Sequence, residues 1–565
     1  MIQAIRGIVP DACPDQVKVR PCPNPKFGDY QTNALMGIAK KNGLNPRDLA
    51  TQVQQAMDVS DICENVEIAG AGFLNFRISQ DCIRKLLLEC LNGDHYFIAP
   101  RENPEKILID FSSPNVAKAM HIGHIRSTIL GDCLARVHRF IGNSVITDNH
   151  IGDWGTQFGK LIYGWKNELD QQAFKVNPIA ELERIYKKIN SEADEDASLM
   201  TACRDELVKL QKGDPENLAI WKEMIAISQV QFDQIYQRLD VKFDYTLGES
   251  AYNEALPKVV EDLLAAGIAS ESEGATLVFF EDVKELKKHP AMIRKSDGGF
   301  NYATTDLATL DYRLNHFNPD KILYVTDDRQ QLHFKQIFEI FRRWKGNSAA
   351  TLEHVGFGKI LGDDGKPFKT RSGGTVKLND LLDEAQERAL TALRERSDIE
   401  PDLQSQVAAI IGTGAVKYAD LLPNRNSDYK FSWDKMLALQ GNSAVYLLYA
   451  NTRIRSLLRK AADNPETRDT KPTFESLSHP TEWALARRLM NFGFILESVA
   501  DESRPNYLCN YLFELASEIA SFWEMCPVLI AEGQTRADRI GLCKACGIVL
   551  SKGLNLLGIE SVEKM

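Results

Sequence analysis

One segment, Ile107 to Thr147, constrains this chain more than any other. ILIDF at 107–111, apolar apart from Asp110, has the length and composition of a buried strand. A polar loop follows, and from Ile125 to Phe140 apolar residues recur at helical spacing. Asn143 then turns the chain into Val145-Ile146-Thr147, strand-like again. Strand, loop, helix, strand is a βαβ unit, and it predicts an α/β domain built on a doubly wound, Rossmann-like parallel sheet.

The rest of the chain arranges itself around that unit. A chain of 565 residues is too long for one core and divides into domains. In residues 1–100, PCPNPKFGDY is a Pro-rich turn and VEIAGAGFLNFRIS two strands about a Gly-rich turn, which predicts a small α+β domain. The polar stretch at 101–106 opens the α/β domain, expected to run over 101–375 with a charged helical insertion near 165–270. Strand-like runs return at 276–280 and at Lys321–Thr326, with the helix-like TTDLATLDYRL between them and an extended segment from His354 to Leu361. These are expected to form a second α/β half. Beyond 375 the pattern is helical, a connector over 376–440 and an all-α domain over 441–565.

Composition narrows the setting. No run of 18 apolar residues occurs and the N-terminus lacks a cleavable signal pattern, so a cytoplasmic protein without membrane association is expected. Eleven cysteines suit reduced thiols, and the C-x-x-C of Cys543 and Cys546 has no second ligand pair nearby, so no structural zinc is expected. The net charge of −11 speaks against a nucleic-acid partner. Residues 441–565 are close to neutral, with 14 basic against 15 acidic side chains, which leaves room for a local basic face.

Two stretches carry chemistry. FSSPNVAKAMHIGH (111–124) lies between a buried strand and the start of a helix. A helix N-terminus offers unpaired N–H groups and partial positive charge, Gly123 permits close approach of a phosphate or base, and His121 and His124 add side-chain donors. Two histidines three apart also suit a metal pair or packed surface residues. LGDDGKPFKTRSGGTVKL (361–378) is a Gly-rich loop bearing Lys366, Lys369 and Arg371. Such a loop can neutralise charge developing on a leaving pyrophosphate; a solvated hairpin turn is the plainer reading.

HIGH after the first strand and a cationic loop late in the α/β domain resemble the class I aminoacyl-tRNA synthetases. SPNVAKAMHIGH, NHIGDWGTQFGKL, DDRQQLHF, GKPFKTRSGGTVKL and AVKYADL are similar to the arginyl-tRNA synthetases, in that family's order, with FGDYQTNAL and GIESVEKM similar to its termini. The KMSKS signature of the class stands here as Phe368-Lys369-Thr370-Arg371-Ser372, with Arg371 in place of the second lysine. The resemblance implies a ligase that joins L-arginine to its tRNA through an arginyl-adenylate, using ATP and Mg2+. His121, Gly123, His124, Lys369 and Arg371 would bind ATP, with His121, His124, Lys118, Lys369 and Arg371 catalytic. It implies an arginine pocket of Ser113, Asn115, His124, Asn149, Tyr302, Asp306 and Gln330, and a first step that needs bound tRNA. A monomer is expected.

The residues agree in part with what the resemblance implies. Tyr302 and Asp306 are four apart in a helical pattern and share a face, and a carboxylate beside a ring suits a planar guanidinium; Asp306 is equally suited to a local surface pair. Specificity resting on paired polar groups discriminates well enough to need no editing domain, and no insertion of that size is present. Tyr446, Tyr449, Arg453, Arg455 and Arg459 lie on one predicted helix and combine stacking rings with phosphate-binding cations, where the family places its anticodon-binding domain; two core aromatics and three solvated arginines are the alternative. Lys26, Tyr30, Lys40 and Arg47 are weaker candidates in the region that resembles the family's tRNA-elbow module.

Overall fold

The computed structural model describes residues 1–93, 96–99, 101, 103–346, 350–362, 364–366, 368, 376–396, 399–465 and 470–565. At its centre is a parallel sheet. Strand β1 (Lys106–Asp110) continues through helix α1 (Ile122–Phe140) into β2 (Ser144–Asp148). The insertion follows and contains α2 (Pro178–Glu195) and α3 (Pro215–Arg238); the chain then returns through α4 (Tyr302–Phe317) to β3 (Lys321–Tyr324) and β4 (Thr351–His354). The strand order is β4-β3-β1-β2, all parallel. From β1 the chain leaves toward one edge and from β3 toward the other, so a crevice opens between the carboxyl ends of these two neighbours, the usual ligand position in open parallel sheets.

The apolar run Ile107–Ile109 within β1 has a direct cause. Ile107 and Ile109 pack with α1 on one face, while Leu108, with Ile322 and Tyr324 of β3, packs on the other against α4 and the helix Gln331–Lys345. A sheet covered on both faces leaves no solvent-facing position to be polar. Gly131 lets α1 close on β1, because a Cβ there would come within 2.1 Å of the Phe111 ring.

The insertion divides into helices at side-chain caps. Asp170, Asn177, Asp196 and Asp214 each accept hydrogen bonds from the first amides of the helix that follows, satisfying donors with no intrahelical partner. The strand-like run at 276–280 does not join the parallel sheet. Ala275–Val278 pairs antiparallel with Ser270–Ser272 and Ala291–Arg294 in a separate three-stranded sheet. The reason is local: Glu273 and Gly274, with φ of 50° and 79°, form a tight hairpin turn that hands the strand its neighbour before any helix can cross over.

The N-terminal region holds a four-stranded antiparallel sheet in which Cys63–Ala69 and Phe73–Ile78 are the hairpin about Gly70 and Gly72. The C-terminal part is helical, including α5 (Pro401–Leu421), α6 (Ala444–Asp463) and α7 (Gly533–Leu556). A short strand, Tyr429–Lys430, interrupts this pattern by pairing in parallel with Ile360–Leu361. Buried charges join α5 to α1: Arg126 meets Asp420 at 3.0 Å with both side chains 1% exposed. Cys543 and Cys546 are buried in the helical core, where the Trp523 indole N–H donates to Cys543 Sγ.

Candidate active site

The loop between β1 and α1 runs out at the β1–β3 crevice, held in a conformation its residues do not choose freely. Ser112, Ser113 and Ala117 all have positive φ, of 75°, 50° and 61°. Non-glycine residues pay for this region and keep it only where surroundings over-determine it. Here they do: the Ser112 N–H donates to Ser127 Oγ at 2.9 Å, the Ser113 N–H to Asn149 Oδ1 at 3.1 Å and the Ala117 N–H to Ser228 Oγ at 2.9 Å. Thr128 and Tyr236 complete a buried hydroxyl chain through Ser112 Oγ, each at 2.8 Å.

His121 caps α1 and His124 lies in its first turn. His121 Nδ1 accepts from the Gly123 N–H at 3.0 Å, and His124 Nδ1 accepts from the His121 N–H at 3.1 Å. With both Nδ1 atoms used as acceptors, each ring proton is placed on Nε2, which is left as a donor. The rings stack with centroids 4.0 Å apart. Burial lowers the pKa of both, His124 to about 3 with further depression from His121 beside it, so the pair is neutral near pH 7. Gly123 serves this geometry, since a Cβ there would lie 2.8 Å from the His121 ring.

Lys118 extends from the same loop toward the insertion, with Nζ 4.7 Å from the centre of the Tyr186 ring. Burial lowers its pKa, partly offset by Glu183. The segment after the cationic loop returns to the histidines: the Ile122 N–H donates to the Val376 carbonyl at 3.0 Å and the Leu378 N–H to the Met120 carbonyl at 2.9 Å. Lys369 and Arg371 lie outside the described residues.

Across the crevice stands a group of carboxylates. Asp306 and the largely exposed Tyr302 project from the first turns of α4, and Asp306 Oδ2 meets His333 Nε2 at 2.5 Å. Glu249, which the sequence reading missed, is close by; burial first, then Asp306 and Asp153, raise its pKa to about 8. Burial raises the pKa of Tyr302, with Glu249 and Tyr186 acting in the same sense, which places this ring near both the carboxylates and the Tyr186 ring that carries Lys118. Gln330 is exposed at the end of the short turn after β3. Ser113 Oγ donates to Asp110 Oδ1 at 3.2 Å, and Asn115 is exposed against Gly152, where a Cβ would strike Asn115 Oδ1 at 2.4 Å. Asn149 is fully buried and its amide is consumed within the protein, by Ser113 and by the Tyr236 hydroxyl at 3.0 Å.

Sequence reasoning also missed Arg313. Its guanidinium is wholly buried, 2.8 Å from Asp110 and 2.7 Å from Asp148, the last residues of β1 and β2, and lies over the ring of Tyr324, the last residue of β3. The arginine falls in a helical pattern with nothing to mark it, and its partners are far away in sequence.

The five residues singled out on α6 do not share a face. Tyr449 is 42% exposed with the Arg453 guanidinium above it, also 4.8 Å from the Trp523 ring. Tyr446 packs inward against Phe513, while Arg455 and Arg459 both pair with Glu563. In the N-terminal region Lys26, Lys40 and Arg47 are exposed, whereas Tyr30 is partly buried and packed into the core.

Residues 87–433 match the model of class I tRNA synthetases (R), catalytic domain; residues 1–78 match the arginyl tRNA synthetase N-terminal domain, and residues 447–565 the DALR anticodon binding domain. Curated arginine–tRNA ligases from Synechococcus sp. and Hahella chejuensis are 45% and 44% identical, over 96% and 97% of this chain and 94% and 95% of theirs. Among solved structures, Plasmodium falciparum arginyl-tRNA synthetase is 31% identical with a TM-score of 0.82, covering 100% of this chain and 97% of that one. The Thermus thermophilus arginyl-tRNA synthetase shares the fold, with a TM-score of 0.83 at 23% identity over 100% and 99% of the two chains. Resemblance in sequence from end to end, a doubly wound sheet and histidine donors at its switch point converge on one assignment: this chain belongs to the arginyl-tRNA synthetase family of class I.

Proposed function

We infer that this chain is an arginine–tRNA ligase, and that the β1–β3 crevice joins arginine to ATP and then to tRNA. One juxtaposition supports the assignment of the site: Tyr302 lies near both Glu249, part of a carboxylate group fit for a guanidinium, and the Tyr186 ring that carries Lys118, a cation fit for phosphates.

In the first step an oxygen of the arginine carboxylate attacks the α-phosphorus, the bond to the bridging oxygen breaks and pyrophosphate leaves with the electron pair. In the second, a hydroxyl of the terminal ribose of tRNA attacks the acyl carbon and AMP leaves. Neither step requires a covalent enzyme intermediate, so the protein contributes position and charge stabilisation. His121 and His124 donate from Nε2 to phosphate oxygens, and the α1 N-terminus with Gly123 admits the nucleotide. Lys118, Lys369 and Arg371 share the charge that builds on pyrophosphate.

Arginine lies with its carboxylate near Ser113, Asn115 and His124 and its guanidinium toward Asp306 and Glu249, flanked by Tyr302 and Gln330. Asn149 acts from behind, through the Ser113 amide. Magnesium would accompany the nucleotide and offset the charge of its phosphates. Among the described residues no cluster of three metal-ligating side chains is arranged to hold it.

Tyr449 and Arg453 offer a stacking ring and a cation on one exposed patch, and we assign the anticodon contact to them in preference to Arg455 and Arg459. Lys26, Lys40 and Arg47 are the elbow contacts. The enzyme acts as a monomer in the cytoplasm, a reducing compartment that suits its free thiols.

The test is tRNA charging by the purified protein with each standard amino acid, ATP, magnesium and total tRNA. Charging with arginine alone supports the reading; charging with another amino acid discards the pocket. Pyrophosphate exchange that runs as fast without tRNA as with it removes the tRNA requirement of the first step.

A further inference from the structure

We propose that Glu183, on the insertion helix α2, is a positioning residue for adenylate formation that braces the two phosphate-binding segments against each other. Glu183 Oε1 accepts the Ala119 N–H at 2.8 Å, two residues before His121. Its other oxygen lies 3.7 Å from Lys377 Nζ, and Lys377 forms an antiparallel backbone bridge with His121. One carboxylate thus holds the backbone that leads into HIGH and the side chain of the segment returning from the cationic loop.

The rest of the insertion acts in the same sense. Ser228 on α3 holds the Ala117 amide, and Tyr186, three residues and one turn beyond Glu183, carries Lys118. Ala117 has a φ of 61°, a conformation the loop does not keep unaided. Alternate amides of the strained stretch, those of Ala117 and Ala119, are therefore both satisfied from the insertion, which gives that insertion a role in catalysis.

The charge of Glu183 makes the proposal distinctive. A carboxylate beside Lys118, His121 and Lys377 opposes a triphosphate, so a site built for ATP affinity alone would exclude it. Its presence is accounted for by the hydrogen bond it accepts, and position and affinity should therefore separate on mutation.

The inference rests on the assignment of His121, His124 and Lys118 to the phosphates of ATP. The experiment is steady-state and single-turnover charging by the full-length enzyme with saturating tRNA, the active fraction counted by adenylate burst. Glu183→Ala is expected to slow adenylate formation by at least about tenfold, the loss of one hydrogen bond to a charged acceptor, without raising the KM for ATP. Glu183→Gln keeps an oxygen for the Ala119 amide and loses the charge, so it is expected to recover most of that rate and to lower the KM for ATP. Thermal melting confirms that both variants fold. Unchanged adenylation in E183A overturns the proposal, as does E183Q as slow as E183A. If His124→Ala also leaves adenylation intact, the phosphate assignment itself fails; if His124→Ala abolishes it while E183A does not, only the role of Glu183 falls.

Discussion

Arg313 Nη2 lies 2.7 Å from Asp148 Oδ2, with both side chains wholly buried. The same guanidinium reaches Asp110 at 2.8 Å, so one cation from α4 ties together the carboxyl ends of β1 and β2, from which the site loops depart. A buried pair is weak evidence of net stabilisation, but removing one partner strands the other charge in low dielectric. Arg313→Met removes the one cation that both buried carboxylates share and is therefore expected to cost roughly 3–5 kcal/mol, seen as a lower urea midpoint or melting temperature. A loss within the range of ordinary surface substitutions would show that the pair is relaxed by water.

The stacked histidines make a kinetic prediction. His124→Ala removes a donor that acts on charge present in the transition state, so adenylation should fall by about a hundredfold while the Kd for tRNA is unchanged. Because both rings are already neutral near pH 7, and His124 titrates at about 3, adenylation should show no acid limb at the ordinary histidine pKa. A limb near pH 6.5 that disappears in H124A would contradict the burial assigned to the ring.

Glu249 predicts a pH dependence of opposite origin. Its folded-state pKa of about 8 lies above the ordinary 4.5, so in the free enzyme the stability it contributes is present below pH 4.5 and lost as pH rises toward 8. A guanidinium in the pocket favours the ionised form. Arginine binding near pH 7 should accordingly release a proton, and the KM for arginine should rise as pH falls below 8, up to about tenfold per unit if Glu249 acts alone. Calorimetry in buffers of different ionisation enthalpy measures the proton, and Glu249→Gln should abolish its release.

On the anticodon side, Arg453→Ala should weaken tRNA binding by about tenfold or more through lost stacking and charge, with little effect on the KM for arginine. Arg455→Ala should leave tRNA affinity within about twofold, because Arg455 is engaged by Glu563. Equal losses from the two would restore the view of α6 as a single basic face. Filter binding at fixed salt separates the cases.

Much of the fold was legible because it depends on local pattern. A strand buried on both faces reads as an apolar run, a helix as three and four spacing, and the first βαβ unit followed from Ile107 to Thr147 alone. The run at 276–280 reads as a strand of the second α/β half, but its sheet was not legible, because pairing is decided by the turn before it and Glu273-Gly274 closes a hairpin. The site was legible where motifs are contiguous. His121 and His124 sit together at the start of α1, whereas Glu249 and Arg313 lie in stretches with no chemical mark, and Glu183 in an insertion whose purpose its composition hides.

The amino-acid order by itself determined the elements, the histidine-bearing turn at the start of α1 and the family, because each is set by neighbours along the chain. Only the tertiary structure decided which carboxylates share the crevice, where the ring protons of the histidines sit and what the insertion touches. Those depend on burial and on contacts between residues as far apart as Asp148 and Arg313, and desolvation and hydrogen-bond geometry do not exist until the chain has closed. Tyr302 illustrates the division: its spacing from Asp306 put both on one helix face, but its 70% exposure came from how α4 meets the sheet.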